Sequence, residues 1–331
     1  MSGTGEFELI AEIRERARRA GVGSSERLHL GSGDDAAVSV PGAATATSTD
    51  AIVEGVHFRL GTATPREIGA KAISAALSDL AAMGAAPGEA YVQLGLPASF
   101  ADESVLELAD GMIEVAARTG TAIAGGDIVG SGLLFVSVTV VGHAASSDAF
   151  VTRSGSRAGE EVFVTGELGG AAAGLRVLER PELGEALDPA VAEHLRARQL
   201  RPVALLEAGA ALAAAGASAM IDISDGLAGD ARHLAEAGGV RIDIEAARIP
   251  VEEGVAAVAE SAGVDQLELI LGGEDYELLV VLAQERKEAA VAGVAATGTR
   301  LTPIGYVSVG QGFELAGATA PERLQGHQHR R

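Results

Sequence analysis

Along almost the whole chain, stretches with helical hydrophobic spacing alternate with short β-branched runs, and this alternation restricts the fold more than any other feature. Residues 6–19 put Phe7, Ile10, Ile13 and Ala17 at helical intervals. Pro65, suited to a first helical turn, opens a stretch whose inner stripe is Ile68, Ala72, Ile73, Ala76, Leu77 and Leu80. Residues 102–118 repeat the helical pattern, while 44–49, 90–96, 121–124 and 133–141 read as strands. The polar, glycine-containing run 153–159 interrupts the series, and a second series follows it. Strands are predicted at 161–165, 219–223, 240–244, 276–282, 303–309 and 312–315. Helices are predicted at 169–179, 189–199 and 202–215, after Pro250 and from Glu285. The expected fold class is α/β, with helices layered on sheets in two halves. A chain of 331 residues also exceeds the ~250–300 at which a single core stops growing. The expected division is 1–150, 151–320 and a polar tail over 321–331.

Charge and composition narrow the function. There are 25 Lys plus Arg against 46 Asp plus Glu, a formal net charge of −21, and only 3% aromatic residues. A nucleic-acid groove needs basic stripes and stacking rings, so nucleic acid is not an expected partner. With no cysteine, disulfide frameworks, Cys-based zinc sites, iron–sulfur clusters and thiol nucleophiles are excluded. The first residues lack a basic segment followed by an apolar one. The longest stretch without charged side chains, 128–147, is broken by glycines and serines. A cytoplasmic protein with no membrane segment is the expectation.

The informative acids lie beside Gly, Ser or Thr. Asp34 and Asp35 follow Gly33, Asp50 follows Ser48 and Thr49, and Asp127 follows Gly125-Gly126. Asp222 and Asp225 bracket Ile223-Ser224, and Glu274 and Asp275 follow Gly272-Gly273. The pattern predicts most of them at strand ends, where α/β folds hold ligands. Each alone is more simply a turn residue. Asp79 differs, because it interrupts an apolar helical stretch in which Ala75 and Met83, four residues away on either side, supply no ion-pair partner. Carboxylates with Ser and Thr oxygens and no cysteine suit a hard cation such as Mg²⁺, Mn²⁺ or Ca²⁺. The EF-hand spacing is absent, and scattered Asp residues around Mg²⁺ point to phosphate chemistry. The two lysines, Lys71 and Lys287, do not follow Gly, so there is no Walker A loop. No protein-kinase catalytic loop or nucleophile elbow occurs.

Taken in order, the motifs become recognisable. They run Gly5-Glu6-Phe7, Gly33-Asp34-Asp35-Ala36-Ala37, Ser48-Thr49-Asp50, Glu54-Gly55-Val56-His57-Phe58 and Ser78-Asp79-Leu80-Ala81-Ala82-Met83-Gly84. Then come Gly125-Gly126-Asp127, Thr152-Arg153-Ser154-Gly155, Val164-Thr165-Gly166, Asp222-Ile223-Ser224-Asp225-Gly226-Leu227 and Gly272-Gly273-Glu274-Asp275-Tyr276-Glu277-Leu278. The series closely resembles the thiamine-monophosphate kinase family, of the superfamily that includes aminoimidazole-ribonucleotide synthetase, over roughly residues 3–309.

The resemblance implies a two-domain α/β protein of the aminoimidazole-ribonucleotide synthetase-like fold, forming a homodimer through its N-terminal sheet. The implied activity is ATP-dependent phosphorylation of thiamine monophosphate to thiamine diphosphate. Asp35, Ser48, Thr49, Asp50, Asp79, Asp127, Asp222 and Asp225 would hold several Mg²⁺ ions, with Asp50, Asp79, Asp127 and Asp222 as the catalytic acids. Gly126, Asp127, Arg153 and Ser224 would line the ATP site, and His57 and Glu274 would contact thiamine monophosphate. The roles of Asp34 and Lys71 stay open, Lys71 suiting a surface as well as a site. Tyr276 is expected to begin a strand. Two departures stand out. An aromatic of the family's C-terminal motif is matched only by His327, and the family's Asn three residues before Asp79 is Ala76 here.

The implied chemistry is self-consistent. ATP carries roughly four negative charges and a monophosphate roughly 1.5–2, so both need cations beside so many carboxylates. The acceptor phosphate has its second pKa at ~6 and is already largely ionised at neutral pH, so no strong general base is required. Direct in-line transfer is therefore the expectation, and a phosphohistidine at His57 the alternative. Two other functions compete: another ATP-dependent reaction of the superfamily, such as ring closure, and a non-catalytic acidic nucleotide-binding module.

Overall fold

A computed structural model describes residues 6–33 and 36–317, with backbone only at Glu6 and Phe7. The described residues divide into two compact units, those up to 80 with 85–147, and 81–84 with 148–317.

The first unit contains α1 (Glu6–Arg19), β1 (Leu28–Leu30), β2 (Val38–Ser39), β3 (Ala44–Val53), α2 (Pro65–Ala82) apart from its last two residues, β4 (Ala86–Leu96), α3 (Asp102–Thr119), β5 (Ala122–Gly130) and β6 (Phe135–Ala144). β1 and β2 form a short antiparallel pair, and the other strands make a four-stranded sheet in the order β3-β6-β4-β5. Only β4 and β5 run parallel, which requires the crossover that α3 supplies. The stripe expected on α2 is buried: Ile68, Ile73, Ala76, Leu77 and Leu80 are at most 1% exposed. Each large aliphatic side chain buried this way contributes about 1.5–3 kcal/mol. Two glycines let α2 and α3 touch backbone to backbone. A Cβ at Gly69 would lie 2.0 Å from the Leu108 carbonyl oxygen, and one at Gly111 would lie 1.9 Å from that of Arg66. This close crossing fixes the helix that carries Asp79.

The second unit contains β7 (Glu161–Thr165), α4 (Gly170–Glu179), α5 (Pro189–Leu200), α6 (Leu206–Ala215), β8 (Ala219–Asp222), α7 (Leu227–Gly238), β9 (Arg241–Glu245), α8 (Val255–Ala262), α9 (Gln266–Ile270), β10 (Leu278–Leu282), α10 (Lys287–Ala296), β11 (Leu301–Ser308) and β12 (Gly312–Ala316). Its six-stranded sheet has the order β12-β9-β11-β7-β10-β8 and is antiparallel apart from the β12/β9 pair. β10 is buried at every position, which explains its unbroken Leu-Leu-Val-Val-Leu sequence. The core beneath the sheet joins Val162, Ile221, Ile242, Leu279 and Ile304 to Leu227 and Leu234 of α7.

Several expectations need correcting. β3 and β5 run past the acids, to Val53 and Gly130, so Asp50 and Asp127 sit within strands opposite Val138 and Gln93. The β-branched pairs Ile52-Val53 and Ile128-Val129 keep each strand extended beyond its acid. Tyr276 does not begin a strand. β10 starts at Leu278, and Tyr276 is left-handed at φ 52°. β1, β2 and α9 are too short to leave a periodic signal, and the sequence pattern misses them.

Candidate active site

In the first unit, strand alternation sorts the predicted ligands by face. Ser48 and Asp50 are half-buried, whereas Thr49 between them is exposed and shares a 2.8 Å hydroxyl contact with Thr139 on β6. Ser48 donates its hydroxyl hydrogen to Asp79 on α2, joining the strand to the helix. This answers why an Asp stands in an apolar helix: its carboxylate is half-buried and has a designated donor on β3. The Asp50 carboxylate accepts the Ala51 N–H at 2.7 Å, and that of Asp127 accepts the Ile128 N–H at 3.0 Å. Gly126 and Asp127 are exposed on β5. They border a cavity of about 340 Å³, between α1, α3 and the sheet, whose other walls include Ile10, Ile13, Met112 and Ile123.

His57 follows β3 and is clamped from two sides. Its Nδ1 accepts the Val53 N–H at 3.1 Å, and its carbonyl oxygen accepts from Lys71 Nζ at 3.2 Å. An accepting Nδ1 places the proton of the neutral ring on Nε2. Lys71 is only 2% exposed, so of its two sequence readings the surface one is wrong.

In the second unit, β8 ends at Asp222 and Ser224-Asp225-Gly226 turns the chain into α7. Gly226 has φ 102°, and a Cβ there would lie 2.2 Å from the Leu271 carbonyl oxygen. No other residue fits this turn. Asp230, which the motif reading passed over, is 2% exposed and accepts the Asp225 N–H at 3.2 Å. Burial, then the charges of Asp222 and Asp225, push its carboxyl up to about 8 against the pull of that N–H and of Arg153. Arg153 itself is exposed.

The segment 272–277 lies against this turn. The N–H groups of Glu274 and Tyr276 donate to the carbonyls of Ser224 and Ile223 at 2.8 and 2.9 Å. Glu274, half-buried, is left-handed at φ 67°. Asp275 is buried and accepts the N–H groups of Gly169 and Ala171 at 3.0 and 3.2 Å, anchoring the start of α4. Burial raises its carboxyl to about 7, opposed by those N–H groups and by Arg198. α5 supplies the remaining partners. Gln199 donates to Glu274 at 2.6 Å, and Arg198 donates to Glu277 at 2.9 Å. Neither α5 residue belongs to a motif, and the only sequence signal is an Arg-Gln pair closing an otherwise ordinary helix.

Asp34, Asp35 and His327 lie outside the described residues. Among the described residues, no three His, Asp or Glu side chains come together closely enough to hold a metal ion. The contacts that the site acids make are pairwise, Ser48 with Asp79 in one unit and the Asp225 N–H with Asp230 in the other. No helix among the described residues is long and apolar enough to cross a membrane.

Comparison with known proteins bears on the family and the fold. Residues 33–144 match the N-terminal domain, and residues 157–317 the C-terminal domain, of AIR synthase related proteins. The two-domain mixed α/β fold is therefore the AIR synthase-like one. A thiamine-monophosphate kinase of Mycobacterium tuberculosis is 43% identical over 280 residues, which are 83% of this chain and 80% of the relative. Among solved structures, the thiamine-monophosphate kinase of Stenotrophomonas maltophilia superposes with a TM-score of 0.83 at 32% identity, covering 94% of this chain and 96% of its own. A second, described as AaThiL complexed with AMPPCP and TMP, gives 0.78 at 33% identity and covers 98% and 97%. The chain belongs to the thiamine-monophosphate kinase family, and it is an enzyme of the phosphotransferase class.

Proposed function

We propose that this chain transfers the γ-phosphoryl group of ATP to thiamine monophosphate, forming thiamine diphosphate and ADP. The observation that carries the reading is the relative bound to AMPPCP and TMP, alike over almost the whole chain. In the proposed reaction a terminal phosphate oxygen of thiamine monophosphate attacks the γ-phosphorus. The bond from that phosphorus to the β,γ-bridging oxygen breaks, and ADP departs. The attacking oxygen is already ionised above pH ~6, so the chain's task is positioning and charge compensation.

The donor set fits Mg²⁺. Asp35, Asp50, Asp79, Asp127, Asp222 and Asp225, with Ser48 and Thr49, offer only hard oxygen atoms. Asp222 and Asp225 lie near enough to Asp230 to repel its negative charge, and a bound cation would offset that repulsion. Small sets of carboxylates leave room for water and phosphate oxygens, the usual completion of a Mg²⁺ shell. When bound, Mg²⁺ offsets charge between the two phosphates and on the transferring group. Thr49 points its hydroxyl away from Ser48 and Asp50, so its contribution falls to its backbone carbonyl.

The remaining assignments follow the same reading. Gly126, Asp127, Arg153 and Ser224 receive the nucleotide, and the apolar cavity beside Gly126 and Asp127 is large enough for its base. His57, with its proton on Nε2, donates a hydrogen bond to the substrate phosphate. Its nucleophilic lone pair on Nδ1 is occupied by the Val53 N–H, which favours direct transfer over a phosphohistidine. Glu274, Asp275 and His327 complete the thiamine side, Asp275 by anchoring the loop. The protein acts in the cytoplasm as a homodimer of two-domain subunits divided near residue 150. The apolar side chains of Val38, Val40, Val129 and Leu133, 45–57% exposed in the first unit, support pairing through that unit. Incubation with Mg·ATP and thiamine monophosphate should yield thiamine diphosphate and ADP in equal amounts. A folded sample that makes neither overturns the proposal.

A further inference from the structure

We propose that Gln199 is a positioning residue for thiamine-monophosphate recognition, fixing the Glu274 carboxylate while leaving its negative charge intact. The proposal rests on the reading of Glu274 as a substrate contact. Gln199 lies in the last turn of α5, is 4% exposed, and donates Nε2–H to Glu274 Oε2 at 2.6 Å. A buried amide is costly unless partnered, and its partner here is a half-buried acid 75 residues away.

The backbone around Glu274 shows how closely this carboxylate is held. Glu274 and Tyr276 are the non-glycine residues with positive φ among the described residues, at 67° and 52°. Such conformations persist where surrounding contacts over-determine them. Here the backbone is pinned by Ser224 and Ile223, and the side chain by Gln199. The preceding residue, Arg198, donates to Glu277 at 2.9 Å and to the Asp275 carbonyl at 3.4 Å. The end of α5 therefore grips the 274–277 segment at both ends.

The chemistry of the two grips differs. The guanidinium of Arg198 compensates the charge of buried Glu277. The amide of Gln199 is neutral, so it orients Glu274 without itself cancelling the charge. A carboxylate oriented in this way suits a ligand that brings its own positive charge and N–H donors. Thiamine does so through its thiazolium ring and its amino-pyrimidine. A Lys or Arg at position 199 would hold Glu274 equally well but offset the charge that such a ligand seeks.

Steady-state kinetics of Q199L, Q199K, E274Q and the double variant Q199L/E274Q test the idea, with melting curves run on each. Q199L should raise KM for thiamine monophosphate roughly tenfold, as expected for losing a hydrogen bond to a charged group. Its kcat and its KM for ATP should stay within about twofold. Q199K should raise the same KM at least as much while remaining as heat-stable as the parent. In the E274Q background, Q199L should add nothing. An effect of Q199L that persists undiminished without Glu274, or that falls on kcat and ATP alike, overturns the proposal. Should Q199L not fold, the isosteric Q199E carries the same test by opposing Glu274 with a second carboxylate. If E274Q leaves KM for thiamine monophosphate unchanged, the substrate assignment of Glu274 has failed, an outcome separable from failure of Gln199 alone.

Discussion

Replacing Arg198 with Met should cost stability in a way that depends steeply on pH. In the folded chain, Arg198 Nη2 lies 2.9 Å from Glu277 Oε1, and Nε lies 3.3 Å from Glu252 Oε2. The three side chains are only 17%, 6% and 13% exposed. Met fills the aliphatic part of the space, so little packing is lost, but two acids lose their cation. Removing one partner of a buried pair costs about 3–5 kcal/mol, because the remaining charge is stranded. The Glu277 carboxyl is already raised by burial, with Arg198 pulling the other way. Without Arg198 it rises further. A folded-state pKa above the unfolded value means that stability is intact below the unfolded pKa, near 4.3, and falls as pH climbs through the folded one. Each pH unit in that window costs ~1.4 kcal/mol. R198M should therefore lie within ~1 kcal/mol of the parent at pH 5 and show the full loss at pH 8. Urea unfolding followed by circular dichroism at the two pH values measures this. R198M/E277Q should recover much of the loss, since the amide replacing the carboxylate can still accept from Thr165 Oγ1, which now contacts Glu277 at 2.6 Å. A penalty that does not change with pH, or that the second substitution leaves untouched, would refute the reasoning.

Three other outcomes are expected. Asp79→Asn should keep the fold, because the amide oxygen can still accept from Ser48, yet lower kcat by about 100-fold or more, measured as thiamine diphosphate formed at saturating Mg·ATP. Gly226→Ala should lose at least about 2 kcal/mol of stability and most activity, since it combines φ 102° with a 2.2 Å approach to the Leu271 carbonyl; urea unfolding and initial rates read both. Rapid quench with γ-labelled ATP should trap no acid-labile phosphoenzyme. A labelled His57 appearing before product would overturn direct transfer.

Much of the fold is legible because its long elements carry strong periodicity. The stripe from Ile68 to Leu80 identifies α2, and the strand 161–165 is recovered to the residue because its apolar run is bounded by turn chemistry on both sides. The two misplaced strand ends have one physical origin. Asp50 and Asp127 look like strand ends because acids and glycines usually close strands. A strand ends only where its ladder ends, however, and the partners β6 and β4 continue past both acids. Pairing across a sheet is a tertiary fact, and it overrides the local preference of one residue.

The candidate site divides the same way. Residues that would touch ligand sit in compact motifs, because a loop or strand approaching a phosphate must supply several oxygen or N–H groups from consecutive positions. Residues that hold those motifs in place carry no such constraint. Asp230 reaches back five residues to Asp225, while Gln199 and Arg198 reach 75 and 79 residues to Glu274 and Glu277. Nothing local distinguishes Arg198 from Arg196 two positions earlier in the same helix; only the fold turns one toward buried Glu277 and the other toward the exposed Glu193. The sequence therefore reveals what would meet the substrate and conceals what would set its geometry. Substitutions at Arg198, Gln199 and Asp230 are where stability and recognition can be separated, since each acts on a motif residue without belonging to a motif.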